Sequence, residues 1–274
     1  MEHDISLAKF AKTGHPRRID RRFRLRDPAR GGTLPKISPW SEAETSAVRV
    51  LAIDTALAAC SAAVFDLVRG GVLAHESVVM ERGHAEALMP MIARVMTDAD
   101  LEFTDLDRIA VTLGPGSFTG LRVGVAAARG IALAANKPVV GLTTLAAFAA
   151  PHVASDDRTP LLAVIDARHE QVYMQLVGEG GRAVIAPRIA SLREAARIAT
   201  AAPTRIVGSA AALVHSAWMT GARPPLCVDT TPAPDIDWVA RLGAVAADTT
   251  ESPKPLYLRA PDAKPQDAAR LARR

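Results

Sequence analysis

Gly114-Pro115-Gly116-Ser117-Phe118-Thr119-Gly120-Leu121-Arg122-Val123-Gly124 joins two contrasting patterns. Before it, residues 108–113 (RIAVTL) form a short apolar strand pattern; after it, small residues at helical spacing run to about Asn136. Two glycines around a proline let the backbone turn sharply at the strand's C-terminal end. Ser117 is placed to cap the helix that follows. A glycine-rich strand-to-helix turn also gathers backbone N–H groups at the positive end of a helix, where an anion can sit. The lysine of a Walker-type phosphate loop is missing, so the turn reads equally as tight helix packing.

Working outward, residues 50–54 (VLAID) and 60–68 (CSAAVFDLV) form a strand pair, with residues 72–79 as a third strand. Residues 84–99 carry Leu88, Met91, Ile92 and Val95 at helical spacing, and Pro90 interrupts the ideal pattern. A strand at 138–142 and a helix from about Thr143 follow the glycine turn's helix. The pattern then restarts. LLAVIDAR (161–168) and QVYMQLV (171–177) repeat the opening device, an apolar strand ending Ile-Asp, a turn and a second strand, with Asp54 and Asp166 at matching points. Helical patterns near 191–201 and 236–248 flank a strand at 205–209. Two halves with the same opening imply duplication and two α/β lobes with a cleft between them. The expected division is 48–152 for the first lobe and 153–274 for the second.

Of the 274 residues, 49% are hydrophobic and 23% charged, an ordinary soluble balance. The net charge of +4 resides entirely in residues 1–47, because residues 48–274 hold equal numbers of each sign. The globular part therefore exerts no net pull on nucleic acid. Residues 1–47 lack periodicity and read as a disordered or dispensable extension, with the natural start of the fold near Val48. Cys60 and Cys227 show no framework spacing, which fits a reducing cytoplasm. No signal-peptide pattern is recognised, and no apolar run is expected to cross a membrane.

VLAIDTALAACSAAVFD (50–66), His84 before an LMP helix, GPGSFTGLRVG (114–124), GLTTL (141–145), AVIDARHEQVY (163–173) and PLYLR (255–259) together resemble the TsaB family, also called YeaZ. Order and spacing agree over residues 48–260. The resemblance implies an α/β, actin/Hsp70-like (ASKHA) duplicated two-lobe fold. It also implies a part in making N6-threonylcarbamoyladenosine at position 37 of tRNAs that read codons beginning with A. In that role a TsaB protein is the non-catalytic scaffold and dimerisation partner of the catalytic paralogue TsaD. It works with the ATPase TsaE and meets tRNA only through the complex; the threonylcarbamoyl-adenylate comes from another enzyme. ATP and divalent metal are expected on the partner subunits, with none bound by this chain alone.

The catalytic paralogue carries an HxxxH metal motif in a pattern similar to GVNHLEAH. Laid onto residues 141–148, its two histidines fall on Thr144 and Phe148. A divalent site needs imidazole or carboxylate groups converging at roughly 2.0–2.2 Å, which this pair cannot supply. None of the seven histidines pairs at three- or four-residue helical spacing. A metallopeptidase of the glycoprotease type would need an activated water beside such a metal, and a small-molecule kinase of the same fold an intact phosphate loop in both lobes. The residues left for an anion or nucleotide are Asp54, Thr55, Gly114, Pro115, Gly116, Ser117, Thr119 and Gly120, a vestigial set. Asp54 and Asp166 equally suit plain turn chemistry, each accepting N–H bonds in its own hairpin. For the partner surface, the first-lobe helices point to His84, Leu88, Met91, Val95, Gly120, Gly124, Val125 and Ala128, with Met91 and Val125 expected on the outward face.

Overall fold

The computed structural model describes residues 48–156, 158–247 and 251–259, together with two short strands, β1 (Asp4–Ile5) and β2 (Leu25–Arg26), paired antiparallel. The rest of the 1–47 extension and residues 260–274 lie outside the described residues.

The first sheet contains β3 (Arg49–Asp54), β4 (Ala59–Asp66), β5 (Gly71–Val79), β6 (Arg108–Gly114) and β7 (Val139–Thr143), in the order β5-β4-β3-β6-β7. The second contains β8 (Leu161–Asp166), β9 (Gln171–Val177), β10 (Ala183–Ser191), β11 (Arg205–Val207) and β12 (Cys227–Asp229), in the order β10-β9-β8-β11-β12. Each sheet begins with an antiparallel meander of three strands and continues with two parallel strands on its other side. The duplication inferred from one repeated Ile-Asp hairpin is thus a repeat of the whole topology. Strand β10 has no counterpart among the sequence expectations. It is an edge strand with Pro187 inside and two register shifts, and such interruptions erase the alternation that betrays a strand.

Six helices, α1 (His84–Asp98), α2 (Phe118–Ala135), α3 (Thr144–Ser155), α4 (Leu192–Thr200), α5 (Ala211–Ser216) and α6 (Ile236–Val245), cover the sheets in layers. One outer core joins α1 and α2 to the first sheet through Leu51, Ile53, Leu88, Ile92 and Ile109. A second outer core joins α4 and α5 to the second sheet. Between the sheets lies the largest cluster, in which Leu145 and Phe148 of α3 and Val239 and Ala240 of α6 meet Val50, Phe65, Leu161 and Ile165. Helix α3 therefore shows almost no amphipathic pattern: apolar surface surrounds it, and nine of its residues are buried.

Three differences from the sequence reading follow. The division after residue 152 cuts α3, which runs on to Ser155. Helix α6, assigned to the second lobe by chain position, packs on the first sheet, with Arg108 donating to the Ala246 carbonyl at 2.7 Å. Helix α2 is also long and apolar enough to cross a membrane by length and composition, contrary to expectation. Its buried side, through Val125, Ala128 and Ile131, belongs to the first outer core.

Candidate functional site

In an open α/β sheet, ligands bind at the carboxyl ends of the parallel strands where the connections diverge. Those ends here are Asp54, Gly114 and Thr143 in the first lobe and Asp166, Val207 and Asp229 in the second. A glycine with nearly the same left-handed backbone closes the middle parallel strand of each lobe, Gly114 at φ 113° and Gly208 at φ 110°. The second of these was readable in the RIVGS stretch, as a strand that ends on glycine and leads into a helix.

The structure brings the eight expected anion-site residues together, and the hairpin backbone at residues 55 and 56 packs against the turn. Ser117 N donates to the Ala56 carbonyl at 2.7 Å, and Thr55 Oγ1 donates to the Gly120 carbonyl at 2.7 Å. A Cβ at Gly116 would run into the Ala56 carbonyl, and one at Gly120 into the Thr55 carbonyl, far inside van der Waals contact. These glycines admit the backbone of the neighbouring hairpin. Ser117 caps α2 as expected, its Oγ accepting from Gly120 N at 3.3 Å, while Thr119 is exposed and Pro115 buried.

Asp54 is fully buried beneath this junction. Its Oδ1 accepts from Thr112 Oγ1 at 2.5 Å and from Ala56 N at 3.1 Å, whereas Oδ2 is buried without a hydrogen-bond partner. Burial pushes the carboxyl upward, opposed by the Thr112 and Ala56 bonds and by the nearby His84. Asp166 at the matching point is exposed, and its Oδ1 accepts from Arg168 N at 2.8 Å, the turn chemistry expected of it. The same burial, together with the charges of Asp54 and Glu76, raises the Cys60 thiol to about 11 and keeps it unreactive.

A divalent cation needs several converging hard or imidazole ligands. Asp54 offers one buried carboxylate oxygen, and among the described residues no group of three or more His, Cys, Asp and Glu side chains could hold a metal. Thr144 is fully buried and Phe148 lies in the inter-sheet core. His84 opens α1, with its Nε2 3.1 Å from the Leu57 carbonyl. Among the described residues the donor set around Asp54 does not fit a bound metal.

The expected partner residues require correction. His84, Leu88, Met91, Val95, Gly120, Gly124, Val125 and Ala128 are all buried in the first lobe's own structure. Met91 and Val125 point into the core between the helices and the sheet, and Gly124 lets Thr55 approach α2. Helical periodicity identifies an apolar stripe but not which neighbour it meets, and here the sheet claims it. The solvent side of the same helices carries Met89 (47% exposed), Ala93, Ala126, Gly130 and Leu133 (86% exposed).

Two like sheets joined through shared helices, with a glycine-ended strand in each lobe, define an actin-like two-lobed protein. Residues 69–227 match the family model described as TsaD, tRNA N6-adenosine threonylcarbamoyltransferase. The Escherichia coli tRNA threonylcarbamoyladenosine biosynthesis protein TsaB is 40% identical over 126 residues, 46% of this chain and 53% of that protein. The chain thus spans about half the length of the first curated relatives it matches. An uncharacterized protein of Mycobacterium tuberculosis is 36% identical over 219 residues, 79% of this chain and 94% of that one. Among solved structures, YeaZ from Pseudomonas aeruginosa superposes with a TM-score of 0.66 at 26% identity, over 77% of this chain and all of its own. The chain belongs to the TsaB (YeaZ) family.

Proposed function

We propose that this protein takes part in N6-threonylcarbamoyladenosine synthesis on tRNA as a non-catalytic scaffold subunit in the cytoplasm. It pairs with a TsaD-like catalytic paralogue, works beside a TsaE-like ATPase, meets tRNA only within that assembly and self-associates when alone. ATP and divalent metal belong to the partner subunits. The observation that carries the reading is the pair Thr144 and Phe148. By the family resemblance they stand where the paralogue's metal-binding histidines fall, and both are buried in α3, where an ion would meet one hydroxyl and a phenyl ring. The glycine turn adds to it, since Gly116 and Gly120 pack against the backbone of residues 55 and 56.

The partner surface in this proposal is the solvent side of α1 and α2. Helix α2 is apolar along its length but less than half buried, so its outer face offers close backbone approach at Ala126 and Gly130 and an unpartnered side chain at Leu133. Homodimer and heterodimer would share this face and exclude one another.

The test is reconstitution. The purified chain, alone and with a TsaD-like paralogue and TsaE-like ATPase, is supplied with threonylcarbamoyl-adenylate, ATP, magnesium and tRNA, and the modified nucleoside is measured by mass spectrometry. Silence of the chain alone and product dependent on its addition to the other subunits are expected. Metal-dependent transfer or peptide hydrolysis by the chain alone would overturn the reading.

A further inference from the structure

Two stretches that carry no role in the reading above, the turn after Asp166 and the segment 255–259, meet across the crevice. Leu256 N donates to the Leu113 carbonyl at 2.7 Å, and the Leu256 carbonyl sits over Gly114, 3.0 Å from where a Cβ would stand. The Tyr257 ring lies 5.0 Å from Phe118, the first residue of α2, and its hydroxyl accepts from Arg122 Nε at 3.2 Å. Arg122 itself lies over the Phe118 ring at 3.7 Å. Two residues further on, Arg259 donates to the Ala167 carbonyl at 3.0 Å in the second lobe.

The anchor in the second lobe is an unusual one. Arg168, His169 and Glu170 are three consecutive non-glycine residues with positive φ, 64°, 53° and 56°. L-residues adopt this backbone at a cost, and it persists where surrounding contacts over-determine it. Bonds from Gln171 N to the Arg168 carbonyl, from Ala167 N to the Gln171 carbonyl and from Leu192 N to the Glu170 carbonyl hold the turn, and Arg259 grips it from the crevice side.

We infer that residues 255–259 are an internal strap that bridges the two crevice turns in cis, at the strand ends where a ligand bridges the lobes in open α/β proteins, and that it couples the two turns mechanically. The segment adds to the inter-sheet core of α3 and α6 a second tie between the lobes, at their strand ends. This goes beyond the scaffold reading and survives or fails independently of it.

Hydrogen exchange on the full chain tests the coupling across the lobes. Tyr257→Ala removes contacts to Phe118 and Arg122, both in the first lobe. Coupling predicts a rise of about threefold or more in the exchange rate of residues 166–171, which Tyr257 does not touch. Arg259→Ala, which removes the bond to Ala167, should reciprocally loosen residues 113–120. Tyr257→Phe keeps the ring stack and should remain close to the parent protein. Magnesium ATP added to the parent chain should leave both turns unchanged. Loosening confined to the turn each variant contacts would overturn the inference, as would protection of both turns by magnesium ATP. Because Tyr257 is exposed and Arg259 half-buried, outside the core clusters, thermal melts of both variants should stay near that of the parent, and a collapse of either melt with both turns opening together would count as global unfolding and against a local strap.

Discussion

Asp54 is fully buried with one carboxyl oxygen lacking a hydrogen-bond partner, and a buried charge incompletely paired weakens a fold. Its folded pKa lies above the ordinary 3.8, so the group opposes folding above that value, and the opposition fades as the pH falls below it. Asp54→Asn keeps an acceptor for Thr112 and Ala56 while removing the charge. It should raise stability at neutral pH by about 1 kcal/mol, a melting point about 2–4 °C higher. A lower melting point would show that the carboxylate has a partner in solution. His75 on β5 shows the opposite linkage. Its Nδ1 lies 2.6 Å from Asp237 Oδ1 on α6, and that hydrogen bond, then the charge of Asp237, raises the imidazole pKa. The pair therefore contributes fully below about 6.5, the ordinary histidine value, and is lost as the pH rises through the raised one. Denaturant titrations across this range should show the parent losing stability relative to His75→Gln as the pH rises. His152, whose pKa burial lowers, has the opposite trend and is common to both proteins, so it cancels in the difference.

On helix α2 one substitution has opposite consequences at two glycines. Gly120→Ala drives a methyl into the Thr55 carbonyl and should cost about 3 kcal/mol, because backbone on both sides blocks relief. Gly130→Ala meets nothing within 4 Å on an exposed turn of the same helix. It should gain about 0.5–1 kcal/mol from the better helix former. Chemical denaturation of both variants checks the pair, and a neutral Gly120→Ala would mean that the hairpin can withdraw. The existence of this helix and its cap were legible from Ser117 and the small-residue spacing, since capping and periodicity are local properties. Its buried face was not. Small residues surround α2, and only the sheet beneath it selects Val125 and Ala128 for the core and leaves Leu133 outside.

For the assembled molecule, the outward helix face and the core face should separate under the same chemical change. Leu133→Glu and Met89→Glu place a charge on solvent-exposed positions. They should weaken self-association and pairing with a TsaD-like partner about tenfold or more, while thermal melts stay within about 2 °C of the parent. Met91→Glu buries a charge in the first outer core and should unfold the lobe. Size-exclusion chromatography and melts on the three variants decide the matter: unchanged association for both surface variants would place the interface elsewhere.

What the sequence determined by itself was whatever depends on near neighbours along the chain. The two Ile-Asp hairpins, the capped glycine turn, the helical spacing of residues 84–98 and the family resemblance all lie within short windows, and the duplicated fold follows from repeating them. Tertiary structure decided which of these features face one another. The glycines of GPGSFTG suit an anion site and tight helix packing equally in the sequence, because the same residue permits close approach by phosphate and by backbone alike. Only packing reveals that residues 55 and 56 lie against them. Helix α6 returns to the first sheet, and Leu256 and Arg259 join Leu113 to Ala167, across 143 and 92 positions of chain. Contacts of that separation leave no periodic or local signature, since they arise from where the folded layers bring distant segments rather than from any pattern between them.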